Sequence, residues 1–159
     1  TVTRATETVT APWPHAPQPM TLYVRMVEVG GVLAPGFDRV VEIGSVAGNR
    51  IRIQVDQTVG RYQLHYNSGG QAAFRTAATQ PAPGQIVELM VPLSESGARL
   101  VQAIDGGAPA QTSQVALPLP DAWTTPTLTI GGGGQFDLLD LIVLQGADWT
   151  MDQIRGLVS

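Results

Sequence analysis

Short runs in which apolar and polar residues alternate follow one another along most of the chain, and a helical repeat appears only near its end. The clearest run, Met20-Thr21-Leu22-Tyr23-Val24-Arg25-Met26-Val27-Glu28-Val29, places Met20, Leu22, Val24 and Met26 on one side of a strand. Further strands are predicted over 39–43, 50–56, 61–67, 72–77, 86–91, 98–105, 112–116, 127–130 and 136–144. Glycine and proline separate the runs, and Asn67-Ser68-Gly69-Gly70 and Asp105-Gly106-Gly107 supply residues that accept positive φ in tight turns. Roughly ten short strands at this spacing predict a sandwich or barrel.

The stretch 136–144 is apolar on both faces. Leu139, Leu141 and Val143 fall on one and Leu138, Ile142 and Leu144 on the other, which predicts a place at the centre of a layered β structure. Asp140, in its middle, needs a partner. After it, Thr150 can cap a helix whose Gln153 reaches back in a capping box, and Trp149 can staple onto Ile154 across the cap.

The runs 50–56 and 61–67 allow a register argument. Ile51, Ile53 and Val55 form one apolar row and Tyr62, Leu64 and Tyr66 another, so both should face the core. Val55 then lies opposite Tyr62, Ile53 opposite Leu64 and Ile51 opposite Tyr66. On the other face Asp56 meets Arg61 in an expected ion pair, Gln54 meets Gln63 and Arg52 meets His65. Thr58-Val59 is poor chemistry for a two-residue turn, and a shift of two residues would keep the same parity.

At the front, 1–10 is β-branched but weakly patterned, an edge strand or an extended arm. The prolines of 12–19 impose extended geometry and forbid a central strand. We therefore expect an arm or linker over 1–19 and one domain over 20–159. Trp13, held between two prolines, reads as an anchor, onto its own domain or onto a neighbouring subunit.

Composition narrows the chemistry. A chain of 159 residues buries a core without disulfides, and there are no cysteines to supply thiolates. All nine basic residues are arginine, so a P-loop lysine and a Schiff base are excluded within this chain. With 13 acidic residues the net charge is −4, and the dense basic footprint of a nucleic-acid binder is missing. No apolar run approaches the roughly 20 residues needed to cross a bilayer as a helix.

From Met20 to Val158 the sequence resembles the concanavalin A-like lectin/glucanase jelly roll in its laminin-G-like form. Phe136 to Leu144, then Asp148-Trp149-Thr150-Met151-Asp152-Gln153-Ile154-Arg155-Gly156-Leu157, is similar to that family's final strand and closing helix. Gly97 to Gly106 resembles its strand with an Asp-Gly hairpin, and Leu128-Thr129-Ile130-Gly131-Gly132 the strand before the end. The resemblance implies an all-β, two-sheet antiparallel jelly-roll sandwich with one short C-terminal helix. Arg4-Ala5, Ala11-Pro12-Trp13-Pro14 and the stretch from Ala16 to Arg25 are similar to the start of such domains in tailed-bacteriophage structural proteins, which implies a virion component.

Such jelly rolls host glycan binding, hydrolysis and assembly. Hydrolysis needs two carboxylates flanking the sugar bond; Asp38, Glu42, Asp56 and Glu88 each stand alone in their strands, and Asp137 and Asp140 fall on opposite faces, so no enzyme is expected. The polar row Arg50, Arg52, Gln54, Arg61, Gln63 and His65 suits hydroxyl or carboxylate recognition, and equally a solvated or subunit-contacting face. Trp123 lies on a loop, as a stacking platform or as packing against the sandwich edge. His15 has no partner at metal-ligand spacing, and the glycines of 131–134 lack the lysine of a P-loop. No cofactor is expected; Asp105, Asp121 and Asp137 are the loop acids a calcium ion would use, as it does in laminin-G-like relatives.

Two functions follow as expectations. One is a non-enzymatic phage virion structural protein, a head decoration, fibre or tail-associated part, that associates with itself or with a capsid or tail protein. The other is a carbohydrate-binding module that attaches a virion or a secreted enzyme to surface glycans. The expected location is the virion, or alternatively the extracellular space.

Overall fold

A computed structural model of the chain describes residues 8–29, 37–45, 47–56, 58–131 and 136–158. Two antiparallel sheets face each other. The first runs β1 (Thr8–Pro12), β11 (Thr127–Gly131), β3 (Phe37–Gly44), β4 (Arg50–Asp56), β5 (Arg61–Ser68), β6 (Gln71–Thr76) in spatial order. The second runs β10 (Ala110–Gln111), β9 (Val101–Ile104), β7 (Ile86–Ser94), β2 (Met20–Glu28), β12 (Phe136–Gln145), with β8 (Gly97–Ala98) beside β7. Helix α1 (Met151–Val158) closes the described chain.

The core between the sheets is built by the alternation the sequence displays. Leu22, Val24 and Met26 from β2 meet Ile51, Ile53, Leu64 and Tyr66 from the other sheet, all fully buried. Burying each such side chain contributes about 1.5–3 kcal/mol. The register of β4 on β5 is the one the parity argument gives: Ile53 opposite Leu64, Gln54 opposite Gln63, Arg52 opposite His65. The awkward Thr58-Val59 falls in a longer connection, where the Gly60 N–H donates to the Asp56 carbonyl (2.7 Å) and Gly60 takes φ +63°. Gly69 and Gly70, both at positive φ, form the two-residue β5–β6 turn between Ser68 and Gln71.

Several expectations change. The strand over 136–144 is not central: among the described residues β12 is the last strand of its sheet and pairs only with β2. It is apolar on both faces because the core lies under one and a helix over the other. Leu141 and Val143 pack into the main core, while Ile142 and Leu144 pack with Tyr23, Met90, Met151 and Ile154 beneath α1. A bulge between Leu138 and Asp140 breaks the simple alternation, so Leu138 sits opposite Met26 and Asp140 opposite Arg25. Asp140 accordingly pairs with Arg25 (3.2 Å), half exposed on the sheet's outer side rather than at the sandwich centre.

The run 98–105 is two strands, because fully buried Leu100 turns into the core, where its N–H donates to Thr112 Oγ1 and its carbonyl accepts from the Thr112 N–H. The run 112–116 forms no ladder; Ala110–Gln111 pairs with β9 instead, and Val115 makes a single bridge to Ala98. At the front, Thr8–Pro12 is an edge strand of the first sheet, paired with β11 from Thr8 opposite Gly131 to Pro12 opposite Thr127. Of the two readings for 1–10, residues 8–10 take the edge strand, so the arm expected over 1–19 gives way there to the sandwich. Trp13 continues this attachment: its N–H donates to the Pro126 carbonyl (2.8 Å), its ring packs on the core of its own domain, and His15 stacks edge-on at 5.0 Å.

Candidate functional site

The outer face of the first sheet carries three cross-strand rows of polar side chains. The central row runs Thr129, Glu42, Arg52, His65, Phe74. On one side lie Arg39, Gln54, Gln63 and Thr76, and on the other Gly44, Arg50 and Asn67. Strand alternation sends these residues outward because their neighbours, such as Ile51, Ile53, Leu64 and Tyr66, are drawn inward.

The rows are joined by hydrogen bonds. Gln54 Nε2 donates to Gln63 Oε1 (2.7 Å), and Gln63 Nε2 donates to Thr76 Oγ1 (2.9 Å). Glu42, only 3% exposed, gathers three guanidiniums: Arg39 at 3.4 Å, Arg50 at 3.5 Å and Arg52 at 3.9 Å. Arg39 Nε also donates to the Gly131 carbonyl (2.7 Å). Arg50 can lean across to Glu42 and His65 because its cross-strand neighbour is Gly44. That glycine holds φ +100°, and a Cβ there would strike the Asn49 carbonyl and Arg50 itself.

His65 is neutral in this setting. Arg50 Nη2 donates to Nδ1 (2.9 Å), which assigns the ring proton to Nε2, 3.1 Å from the Asn67 Oδ1 it donates to. Burial, seconded by the Arg50 guanidinium, lowers its pKa to about 4. Burial likewise lowers the pKa of Arg50, against the pull of Glu42. Phe74 lies against the His65 ring at 4.0 Å between centroids and is 45% exposed, which gives the polar rows an apolar rim.

The sequence-predicted residues divide accordingly. Arg50, Arg52, Gln54, Gln63 and His65 come together. Arg61 does not join them: it is exposed and makes no ion pair with Asp56 among the described residues, and the Asp56 carboxylate accepts the Thr58 N–H (3.0 Å) in the turn. Trp123 is no stacking platform. It lies in the hydrophobic core, 5% exposed, as its loop is pulled over the sandwich end by Asn49 Nδ2 to the Ala122 carbonyl (2.8 Å). Arg39, Glu42, Phe74 and Thr76 belong to the site without having been singled out; the parity of β3 and β6 against β4 and β5 is the signal that places them. The loop acids do not assemble. Asp105 is committed to Gln85 Nε2 and the Ile86 N–H (both 2.9 Å), and no group of three His, Asp or Glu side chains is gathered among the described residues.

Elsewhere, a cleft of about 320 Å³ opens between β7, β8 and the start of α1, lined in part by Arg99, Gln114, Asp148 and Trp149. Beneath α1, buried Glu88 accepts from Tyr23 Oη (2.8 Å) and from Arg155 Nη2 (2.6 Å) and Nε (3.0 Å). This second polar cluster fixes the helix to the sheet.

Among the described residues, two six-stranded antiparallel sheets closed by one short helix make a jelly-roll sandwich, the concanavalin A-like fold of the solved structures it resembles. The tailspike protein 2 enzymatically active domain of bacteriophage CBA120 superposes with a TM-score of 0.66 at 14% identity, covering 86% of this chain and 23% of that one. Domains of the mouse laminin alpha1 chain give 0.65 at 10% identity, covering 91% and 41%. A carbohydrate-binding module from Bacillus subtilis gives 0.57 at 10% identity, covering 89% and 84%. The chain thus spans less than half the length of the tailspike and laminin chains it matches. No protein-family model matches the sequence, and no curated protein sequence does.

Proposed function

We propose that the chain is a non-enzymatic glycan-binding adhesion module of a phage virion, with the outer face of its first sheet as the binding surface. The observation that carries this reading is the ordered polar network on that face, where amides and guanidiniums are fixed in place beside an exposed aromatic ring. Sites for sugars combine a few rigid polar groups with an apolar rim on which a pyranose face can rest. The fold's occurrence in a phage tailspike and in a carbohydrate-binding module supports the reading. Binding rather than hydrolysis is favoured because Glu42 stands among three arginines with no second carboxylate beside it in the described rows.

Screening the purified chain against an array of bacterial surface glycans tests the proposal. Specific hits that weaken on Gln63→Ala and Arg52→Ala support it, and an array without hits for the folded protein rejects it. A second reading, assembly with another copy or with a capsid or tail protein, is favoured by Leu138 and Leu139, 40% and 44% exposed on β12, which is an edge strand among the described residues. Unpaired edge strands with apolar side chains invite pairing. Sedimentation of the wild-type chain beside a Leu138→Lys, Leu139→Lys variant checks it: a larger species that the variant loses supports assembly, and a monomer throughout rejects self-association.

A further inference from the structure

The cleft between β7, β8 and the start of α1 is built from three separate parts of the chain. Ala98 and Leu100 are buried inward, so Arg99 between them is sent outward to line the cleft. Gly97, at φ +140°, lets 114–115 come close: Ala98 and Val115 exchange backbone hydrogen bonds (3.1 and 2.6 Å), and Gln114 Nε2 donates to Ser96 Oγ (3.2 Å). Gly146, at φ +90°, turns the chain out of β12. It is tied to the start of β2, its N–H donating to the Pro19 carbonyl (2.9 Å) and its carbonyl accepting from Thr21 Oγ1 (2.8 Å). That turn brings Asp148 and Trp149 to the cleft. Trp149 is fixed there, its indole N–H donating to the Gln145 carbonyl (2.9 Å) while its ring packs against the cluster beneath α1.

Among the described residues, neither the Arg99 guanidinium nor the Asp148 carboxylate makes a hydrogen bond or an ion pair, with each other or with any other group. One cation and one anion without partners thus line a space of about 320 Å³, together with a fixed aromatic ring and an amide. Small-molecule sites begin at roughly 300 Å³. The two charges sum to zero, so an anion drawn to Arg99 meets Asp148 and a cation drawn to Asp148 meets Arg99. A hydroxyl both donates and accepts, and a pair of neighbouring hydroxyls suits the guanidinium fork and the carboxylate alike. We propose that this cleft is a second binding site, for one neutral sugar residue, with Arg99 donating to its hydroxyls, Asp148 accepting from them and Trp149 forming the apolar wall. The site is separate from the polar rows of the first sheet and does not depend on them.

The test titrates the whole isotope-labelled chain with free glucose, galactose, mannose and N-acetylglucosamine, beside glucuronate, protonated glucosamine and the zwitterion glycine. Backbone amide, side-chain amide and indole resonances are followed. At least one neutral sugar should give saturable shifts at Arg99, the Gln114 side-chain amide and the Trp149 indole, at roughly millimolar affinity. The three charged ligands should bind at least about tenfold more weakly. Arg99→Gln and Asp148→Ala should each weaken the sugar by about tenfold, and Arg61→Gln, on the first sheet, should leave it unchanged. Asp148 is exposed and bonded to nothing among the described residues, so Asp148→Ala decides the matter even if Arg99→Gln fails to fold. No shift with any sugar, charged ligands binding as well as neutral ones, or full affinity in Asp148→Ala would each overturn the inference. Shifts confined to Gln63, His65 and Phe74 would overturn it while supporting the first-sheet reading. Shifts confined to the cleft would support it whether or not the glycan array finds a ligand for that sheet.

Discussion

Arg50 Nη2 stands 2.9 Å from His65 Nδ1, across one strand pair on the outer face of the first sheet. This contact forces the imidazole to accept a hydrogen bond, so the ring is neutral while folded. In the unfolded chain the same ring titrates near 6.5. Its folded pKa is depressed to about 4, so the unfolded state binds the extra proton first. Stability is therefore whole above the unfolded value and is lost as pH falls from about 6.5 toward about 4. Urea denaturation should show a loss of roughly 1–2 kcal/mol between pH 7 and pH 5 that is absent from His65→Gln. An equal loss in the variant would assign the effect to other groups.

Phe74 and Trp123 should separate binding from stability. Trp123 is core, and its replacement by alanine should cost about 3–5 kcal/mol. Phe74 is exposed on the rim, so Phe74→Ala should change stability by no more than about 1 kcal/mol while weakening glycan binding. Thermal melts and titrations of the two variants check this, and the reverse pattern would place the aromatic contribution elsewhere.

The clamp under α1 predicts a large effect from a helix of only eight residues. Burial works to raise the Glu88 pKa, but hydrogen bonds from Arg155 and Tyr23 outweigh it and hold the carboxyl below its ordinary value. Arg155→Ala leaves a buried carboxylate without its cation and should cost about 3 kcal/mol. Chemical denaturation measures it; a cost under about 0.5 kcal/mol, the size of an exposed pair, would mean that the clamp contributes little.

Two glycines at positive φ should respond differently. At Gly97 (φ +140°) a Cβ would run into the Val115 carbonyl, so Gly97→Ala must break the bridge that ties 115 to β8. At Gly69 (φ +59°) a Cβ meets open space, and the substitution should cost only the left-handed penalty of about 1–2 kcal/mol. Unfolding free energies that rank Gly69→Ala below Gly97→Ala in stability would contradict the geometry.

Legibility in the sequence follows from how local each rule is. Alternation and parity act between neighbouring strands, so β2, β4, β5 and the β4–β5 register could be read directly, and the capping box at Thr150 and Gln153 needs only four residues. Position within a sheet is not local. Apolar residues on both faces of β12 look the same whether a strand or a helix covers the second face, and here the helix does. The bulge past Leu138 likewise leaves no periodic trace, which is why Asp140 looked buried and unpaired when it is half exposed beside Arg25. Asp140→Asn should accordingly cost only about 0.5 kcal/mol. For the site, half of the polar rows lie on β4 and β5 and could be paired from sequence. Glu42, Arg39 and Phe74 required knowing which strands flank that pair.

The central claim is that the outer face of the first sheet binds a glycan, and mapping backbone amide chemical shifts during titration with the strongest array hit tests it most directly. The account predicts that the largest changes fall on Arg39, Arg52, Gln63, His65 and Phe74. Changes centred instead on the cleft of Arg99, Gln114 and Trp149, or on the edge strand β12, would contradict it.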